Sequence, residues 1–393
     1  MLHNLVLQKT IHQPKQSNKM IETVLAVDIG TTSLKAALVT ASGDVVAFNK
    51  ASFAAPQNRF VAEAWLWALK GSVDKIFKAI GKSGDEVSSA GGEAYSIAAL
   101  SISGNGPTIV SDTGFTLRWN EEVEKLIMSE EGFISTKSLF LPKIAAFKLL
   151  FPDEFDRTDF IYSGPEYLIN KITGSAITVL PEERFLSAYW SADELDELKI
   201  SQGKLPPYIK PGDRCGVITD EAGEFLGIKA GTPVFSCGPD FVAALIGTNT
   251  LSAGKLCDRS GSSEGFNFCT DKPVAAEGIR TLPSVIPGLW NASVIIPKSS
   301  SLEEDARLAA VKEAVEQLKT GLAANGITFP SEITVTGGQT KDKGYMKRKE
   351  QLLGLKLNVC ECSDSELIGD ACVAWYGLGK FGSLQEAAAA LVK

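Results

Sequence analysis

Three short segments carry side chains and backbone that could do chemistry. The apolar run Val24–Val27 ends at Asp28, and Gly30-Thr31-Thr32-Ser33 follows. A tight glycine turn exposes backbone N–H groups, and turns of this kind form anion-binding concavities. Gly261-Ser262-Ser263 offers the same surface later in the chain. Two such turns facing across a cleft could clamp a triphosphate, although the G-x-x-x-x-G-K-[ST] pattern is absent. Taken alone, each reads as an ordinary turn. Asp28 is placed to hold Mg²⁺ through water; the competing reading is a turn-capping aspartate. The third segment is Asp240, after the apolar strand Thr232–Phe235 and before the apolar helical start Phe241–Ile246. A carboxylate at a strand's C-terminal end is where α/β folds place chemistry. The competing reading is a helix N-cap.

Composition narrows the choice. The chain has 393 residues and two histidines, His3 and His12, both in the polar first 20 residues. Ser-His-Asp and Cys-His nucleophile systems therefore have no histidine in the folded body. A carboxylate is then the natural proton acceptor for an alcohol. The formal net charge of −8 argues against nucleic-acid binding through a basic surface. Seven cysteines without a C-x-x-C pattern, in a chain this long, read as reduced intracellular thiols. Cys360 and Cys362 stand two apart on an expected strand, facing one side. No apolar run approaches the roughly 18 residues of a membrane span. No long apolar segment suggests a signal peptide, and Met20 is a candidate alternative start.

The elements around these segments form a repeated pattern. Residues 24–50 read as three strands, with Ala41-Ser42-Gly43-Asp44 as a hairpin turn. A helix follows, with Trp65, Leu69, Val73, Ile76 and Ile80 on one face, closed by Gly81. Ile97–Ile102 is the next strand and ends in Ser103-Gly104-Asn105-Gly106-Pro107. The second half repeats the order. Strands at 254–259, 266–269 and 292–296 precede a helix carrying Leu308, Val311, Val315, Leu318 and Leu322. Ser301 and Glu304 match a capping box at its start. Strand Glu332–Thr336 ends in Gly337-Gly338-Gln339, with a short helix, strand Leu355–Val359 and a helix from Ser365 to Leu378 beyond. The pattern predicts a duplicated α/β domain with a cleft between the copies. Residues 138–236 read as aromatic-rich extra material between them.

On these residues the chain resembles the FGGY carbohydrate kinases of the actin/Hsp70/hexokinase ATPase superfamily. Asp28-Ile29-Gly30-Thr31-Thr32-Ser33-Leu34-Lys35 resembles that family's first phosphate loop. Gly164–Gly174 is similar to its D-Y-L-x-x-x-L-T-G run, Gly231-Thr232-Pro233-Val234 with Gly238-Pro239-Asp240 to G-T-P-V…G-x-D, and Leu141-Pro142-Lys143-Ile144 to P-K-L-x-W. Arg259–Ser263 takes the place of the second phosphate loop, Val335–Gln339 resembles the adenosine segment, and Gly377–Phe381 the closing motif.

The resemblance implies two duplicated ribonuclease-H-like (actin-like ATPase) domains and ATP-dependent phosphorylation of a small sugar. Residues 1–20 would be a disordered extension, 21–248 the sugar-binding domain with the catalytic base, and 249–393 a shortened ATP-binding domain. Asp240 would be the base. ATP would be held by Asp28, Gly30, Thr31, Thr32, Ser33 and Lys35, and by Gly261, Ser262, Ser263, Gly337, Gly338 and Gln339; Asp28 would face Mg²⁺. Asn105, Trp119, Asn120 and Asp240 would meet the sugar, with a ketopentose such as xylulose preferred. The implied partners are sugar and ATP in the cytoplasm, without nucleic acid or membrane; a homodimer is left open. Several segments depart from the family's pattern. S-G-Q-x-H-G becomes Ser103–Thr108, W-x-D-x-R becomes Trp119–Val123 without its arginine, and Gln339 replaces a glycine, able to bond the nucleotide or to crowd it. These departures and the short second half leave an alternative: a catalytically impaired nucleotide-binding protein acting as a sensor or interaction partner.

Overall fold

The computed structural model describes residues 20–53, 59–81, 94–121, 136 and 138–393. The expected N-terminal extension, with His3 and His12, lies outside the described residues except for Met20, which already belongs to the first strand. That strand, β1 (Met20–Ile29), pairs antiparallel with β2 (Ser33–Thr40), and β2 with β3 (Val45–Ser52). Helix α1 (Ala62–Ala79) buries Trp65, Leu69, Val73 and Ile76, as their spacing predicts. Strand β4 (Ala94–Gly104) runs parallel to β1. Helix α2 (Gly164–Thr173) and the two-residue strand β5 (Gly216–Val217) follow. Strand β6 (Pro233–Pro239) runs parallel to β4 and leads directly into helix α3 (Asp240–Gly247). The sheet order is β5-β6-β4-β1-β2-β3.

The second half repeats this plan. Its elements are β7 (Leu256–Ser260), β8 (Glu264–Thr270), β9 (Arg280–Pro283), β10 (Trp290–Ile296), α4 (Glu304–Ala324), β11 (Glu332–Thr336), α5 (Lys343–Leu353) and β12 (Lys356–Val359). Within their order, β9-β10-β8-β7-β11-β12, the antiparallel strands β10, β8 and β7 stand beside the parallel β11 and β12, as β3, β2 and β1 stand beside β4 and β6 in the first sheet. The duplicated α/β architecture expected from the sequence is present. Strand β9 has no counterpart in the sequence pattern; it adds an edge strand to β10.

The two halves interlock. Helix α6 (Ser365–Gly377) follows the second sheet in sequence, yet its Leu367, Ile368, Ala371 and Val373 pack with Val24, Ala26, Ala37 and Val39 on one face of the first sheet. Helix α7 (Leu384–Leu391), also absent from the sequence pattern, joins that layer. The other face packs Leu25, Val27 and Leu34 against α1 and α2. Helices α3 and α6 meet backbone to backbone: a Cβ on Gly369 would lie 1.9 Å from the Ala243 carbonyl oxygen. Only glycine permits that approach.

Three local expectations need correction. Ser301 and Glu304 form no capping box; α4 has Glu303 at its N-cap, without a side-chain cap bond, and the Ser301 hydroxyl donates back to the Lys298 carbonyl. A short 3₁₀ turn at Ser299–Ser301 has used that serine locally. Cys360 and Cys362 lie beyond β12, which ends at Val359, so strand alternation does not govern them. All seven cysteines are unpaired. Residues 138–236 are not wholly extra: β5 and the start of β6 supply two strands of the first sheet, and α2 covers one of its faces. The aromatic part, with Phe140, Phe147, Phe185 and Tyr189, clusters with Phe115 beside it.

Candidate active site

Register brings the ends of β1, β4 and β6 together. Asp28 stands opposite Lys35 on β2 and Ser103 on β4, and Gly238 is opposite Ser103 from the other side. Asp28 is buried, and Lys35 Nζ lies 3.3 Å from its Oδ2 and 3.0 Å from Asp364 Oδ1. Burial pushes the Asp28 carboxyl up to about 7; Lys35 opposes the rise, and the neighbouring Glu366 and Asp240 charges add to it. Burial works against the Lys35 charge too, but Asp28, Glu366 and Asp364 outweigh it and raise its proton affinity.

Asp240 is the first residue of α3, whose N-cap is Pro239, so it is not the N-cap. Its carboxylate faces the second half. Arg259 Nη2, from the end of β7, lies 3.9 Å from Asp240 Oδ2 and 3.3 Å from Glu366 Oε1. Burial raises the Asp240 carboxyl above its usual range, Arg259 pulls it down, and Glu366 raises it. The side chain is still 32% exposed, so solvent moderates these effects. Asp28, Lys35, Asp240, Arg259, Asp364 and Glu366 thus form one cluster of charges drawn from both halves.

The two turns flank this cluster. Gly30 N–H closes the first by donating to Ser33 O at 2.9 Å, leaving Thr31 half-buried and Thr32 exposed. In the second, Gly261 N–H donates to Arg259 O at 3.0 Å, and Ser262 and Ser263 are exposed. Gly337 packs beneath it: with φ 103°, a Cβ there would lie 2.3 Å from Ser260 O. Gly338 has open space around it. Gln339 Nε2 donates to Gly261 O at 2.8 Å, and its Oε1 accepts from Arg307 at 3.5 Å. The glutamine therefore ties the Gly337–Gln339 segment to the second turn.

Near the first turn, Trp119 is 43% exposed, and its Nε1–H donates to Thr31 Oγ1 at 3.2 Å. Asn120 beside it is exposed. Asn105 N–H donates to Ile29 O at 3.0 Å, which fixes its backbone next to the first turn. Glu121 binds Arg59 at 2.6 Å and the Arg118 N–H at 2.9 Å, and buried Lys143 donates to its carbonyl at 2.8 Å. These contacts lock the segment that displays Trp119 and Asn120. Val123, which stands where W-x-D-x-R has its arginine, lies outside the described residues.

Among the described residues, no group of three or more His, Cys, Asp or Glu side chains could hold a metal ion alone. Mg²⁺ commonly takes one or two carboxylates plus substrate phosphates. Asp28, a buried carboxylate beside a phosphate-sized turn, fits that use. Sequence reasoning missed Asp364, Glu366 and the charge role of Arg259. It also missed Asp370, fully buried on α6 and accepting from Ser101 Oγ at 3.1 Å and Ser103 Oγ at 2.7 Å. A concavity of about 490 Å³ opens on the far side of Asp364, between Gly43–Val45 and Cys360–Ser363. It shares only Asp364 with the charge cluster and is a separate feature.

Two copies of one α/β unit, interlocked by a shared helix and meeting at a charged cleft, define an actin-like ATPase fold. A model of the FGGY family of carbohydrate kinases, N-terminal domain, matches residues 23–247. That is more than half of the sequence, and the chain belongs to this family. The xylulose kinase of Staphylococcus xylosus is 23% identical over 61% of this chain and 53% of its own length. The L-fuculokinase of Escherichia coli O157:H7 is 21% identical over 94% of this chain and 95% of its own. The chain spans about half the length of the xylulose kinases of S. xylosus and Lactococcus lactis. The ligand-bound xylulose kinase from Lactobacillus acidophilus superposes with a TM-score of 0.75 at 15% identity, over 95% of this chain and 92% of that one. That similarity shows the shared fold.

Proposed function

We propose that the protein transfers the γ-phosphate of ATP to a hydroxyl of a small sugar, with a ketopentose such as xylulose as the first candidate. The observation that carries this reading is the position of Asp240. It faces the cleft, only 3.9 Å from an arginine two residues ahead of the Gly261 turn. A carboxylate with raised proton affinity beside an anion-binding turn suits a base that takes a hydroxyl proton. Xylulose kinases and L-fuculokinases among the relatives agree with a sugar acceptor.

In this reading, residues 21–248 supply the sugar site and the base, and residues 249–393 the nucleotide site. Trp119 stacks on a sugar face, with Asn105 and Asn120 beside it. Thr31, Thr32 and Ser33 with Gly30 and Lys35 meet the phosphates from one side, and Gly261, Ser262 and Ser263 from the other. Gly337, Gly338 and Gln339 border the adenosine. Mg²⁺, when bound, supplies charge neutralisation at the phosphates, with Asp28 as its protein contact. Asp240 accepts the hydroxyl proton as the sugar oxygen attacks in line, and closure of the two halves excludes water. The proposed setting is the cytoplasm; among the described residues no helix is long and apolar enough to cross a membrane.

A panel of ketoses, aldoses and polyols tests the reading through acceptor-dependent ADP release. Stimulation by one or a few ketoses is expected. If no acceptor stimulates release while ATP still binds, the kinase reading falls, and a nucleotide sensor takes its place.

A further inference from the structure

Arg259 sits in the cleft with its hydrogen-bonding capacity only partly used. Its Nη2 lies 3.3 Å from Glu366 and 3.9 Å from Asp240, and its Nε is buried without a partner among the described residues. A buried donor left unpaired is unfavourable and readily taken up by a ligand's oxygen. The guanidinium has five N–H donors in a fixed fork, a geometry that matches phosphate oxygens.

The charges around it sharpen the point. Asp28, Asp240, Asp364 and Glu366 are four carboxylates, and a triphosphate would add more negative charge. Lys35 is already engaged by Asp28 and Asp364 at 3.3 and 3.0 Å. Arg259 is the less engaged of the cluster's two cations. It also stands where the sheet register points into the cleft: Arg259 is opposite Thr336 on β11, as Asp28 is opposite Ser103 on β4. The two halves thus present opposite charges from equivalent places.

We propose that Arg259 recognises the γ-phosphate of ATP, and that Glu366 is a positioning residue that keeps the guanidinium from closing onto Asp240. The inference rests on the kinase reading above. A hydroxyl oxygen hydrogen-bonded to Asp240 and attacking phosphorus has the γ-phosphate roughly 3–3.5 Å beyond it. A guanidinium already beside Asp240 is then within reach of an equatorial phosphate oxygen. The bond from the sugar oxygen to phosphorus forms as the bond from phosphorus to the β–γ bridging oxygen breaks. The hydroxyl proton passes to Asp240, and ADP leaves with the bridging electron pair. Arg259 offsets the charge on the transferring group throughout. With Glu366 gone, Asp240 becomes the strongest anion near the guanidinium, and the base is occupied by an ion pair.

Titration calorimetry of the full chain with ATP and with ADP, both with Mg²⁺, tests the Arg259 contact without knowledge of the sugar. Arg259→Gln should weaken ATP relative to ADP by roughly 10- to 100-fold, the range of a hydrogen bond to a charged group. Arg259→Lys should recover part of that loss. Glu366→Gln should lower the ATP-to-ADP affinity ratio in the same direction as Arg259→Gln, because the guanidinium is drawn to Asp240, and should lower sugar-dependent turnover roughly tenfold or more, as loss of one charge-assisted contact does. Equal weakening of ATP and ADP in Arg259→Gln, or no change, overturns the inference and leaves the kinase reading intact. If the wild type binds neither nucleotide, the kinase reading itself fails, and this inference with it. Should Arg259→Gln fail to fold, normal turnover in Glu366→Gln overturns the positioning role, and an unchanged ATP-to-ADP ratio in Arg259→Lys overturns the γ-phosphate contact.

Discussion

The two sheets share a strand order but close their first hairpins by different physics. In the first half, Ile29 pairs with Leu34 across the turn, and both belong to an apolar core. In the second, the pair in that place is Ser260 and Glu264. Glu264 is fully buried, binds Lys349 and accepts from Ser299 Oγ at 2.8 Å. Lys349 also binds Asp258 and donates to Ser260 Oγ at 3.3 Å, and neither lysine nor aspartate is exposed. Burial raises the Asp258 carboxyl to about 7, with Lys349 opposing the rise. Packing is non-directional, whereas a hydrogen-bonded ion triad fixes orientation. The difference teaches that the first turn is carried by its core, while the second is aimed by buried charge.

That comparison predicts opposite responses to mutation. Lys349→Met should destabilise the protein by about 3–5 kcal/mol, because it strands two buried carboxyls. Replacing the set together, Asp258→Val with Glu264→Leu and Lys349→Met, should return stability to the wild-type level or exceed it by about 1–4 kcal/mol. Urea denaturation measures both. A triple variant as unstable as the single one would break the comparison.

The first half buries Glu166 with no cation paired to it among the described residues. Glu166 accepts N–H bonds from Ser163 at 2.9 Å and Val179 at 2.6 Å, closing the capping box of α2. Burial raises it from 4.5 to about 7, against those two bonds. The folded state therefore holds a proton that the unfolded state releases. This contribution to stability is complete below pH 4.5 and is lost as pH rises to about 7. A tenfold difference in proton affinity between the two states corresponds to about 1.4 kcal/mol. Glu166→Gln should flatten the stability profile across that window, and an unchanged profile would assign the slope elsewhere. The smallest expected effect is at Gln339. Gln339→Ala removes the bond to Gly261, so ATP affinity should fall by roughly fivefold, about 1 kcal/mol. Calorimetry reads this loss; an unchanged affinity would show that the second turn is aimed without it.

Much of this was legible in the sequence, for identifiable reasons. Asp28, the Gly30 turn and Asp240 each follow an apolar strand, so local pattern marks them. Continuous apolar runs mark the central strands, which are buried on both faces, and helical spacing marks α1, where one face is buried. The rest depends on distance along the chain. Glu366 reads as an ordinary acid in a helix first turn, and its partner Arg259 is 107 residues away. Nothing local marks Asp370; its role emerges only when α6 is seen under the first sheet, bonded to serines on β4. Gln339 reads as a nucleotide contact or an obstruction; its bond to Gly261 gives it a structural purpose. The Ser301 box failed because a serine close to a helix start can bond locally instead.

The most direct test of the account is turnover and binding in Asp240→Asn. Its side chain is partly exposed and is not the helix N-cap, so the fold should tolerate the change. Sugar-dependent kcat should fall by roughly 10²–10⁴, the range for a lost general base. ATP should still bind the variant as it binds the wild type. A variant that turns over near the wild-type rate would contradict the assignment of the base, and with it the chemistry proposed for the cleft.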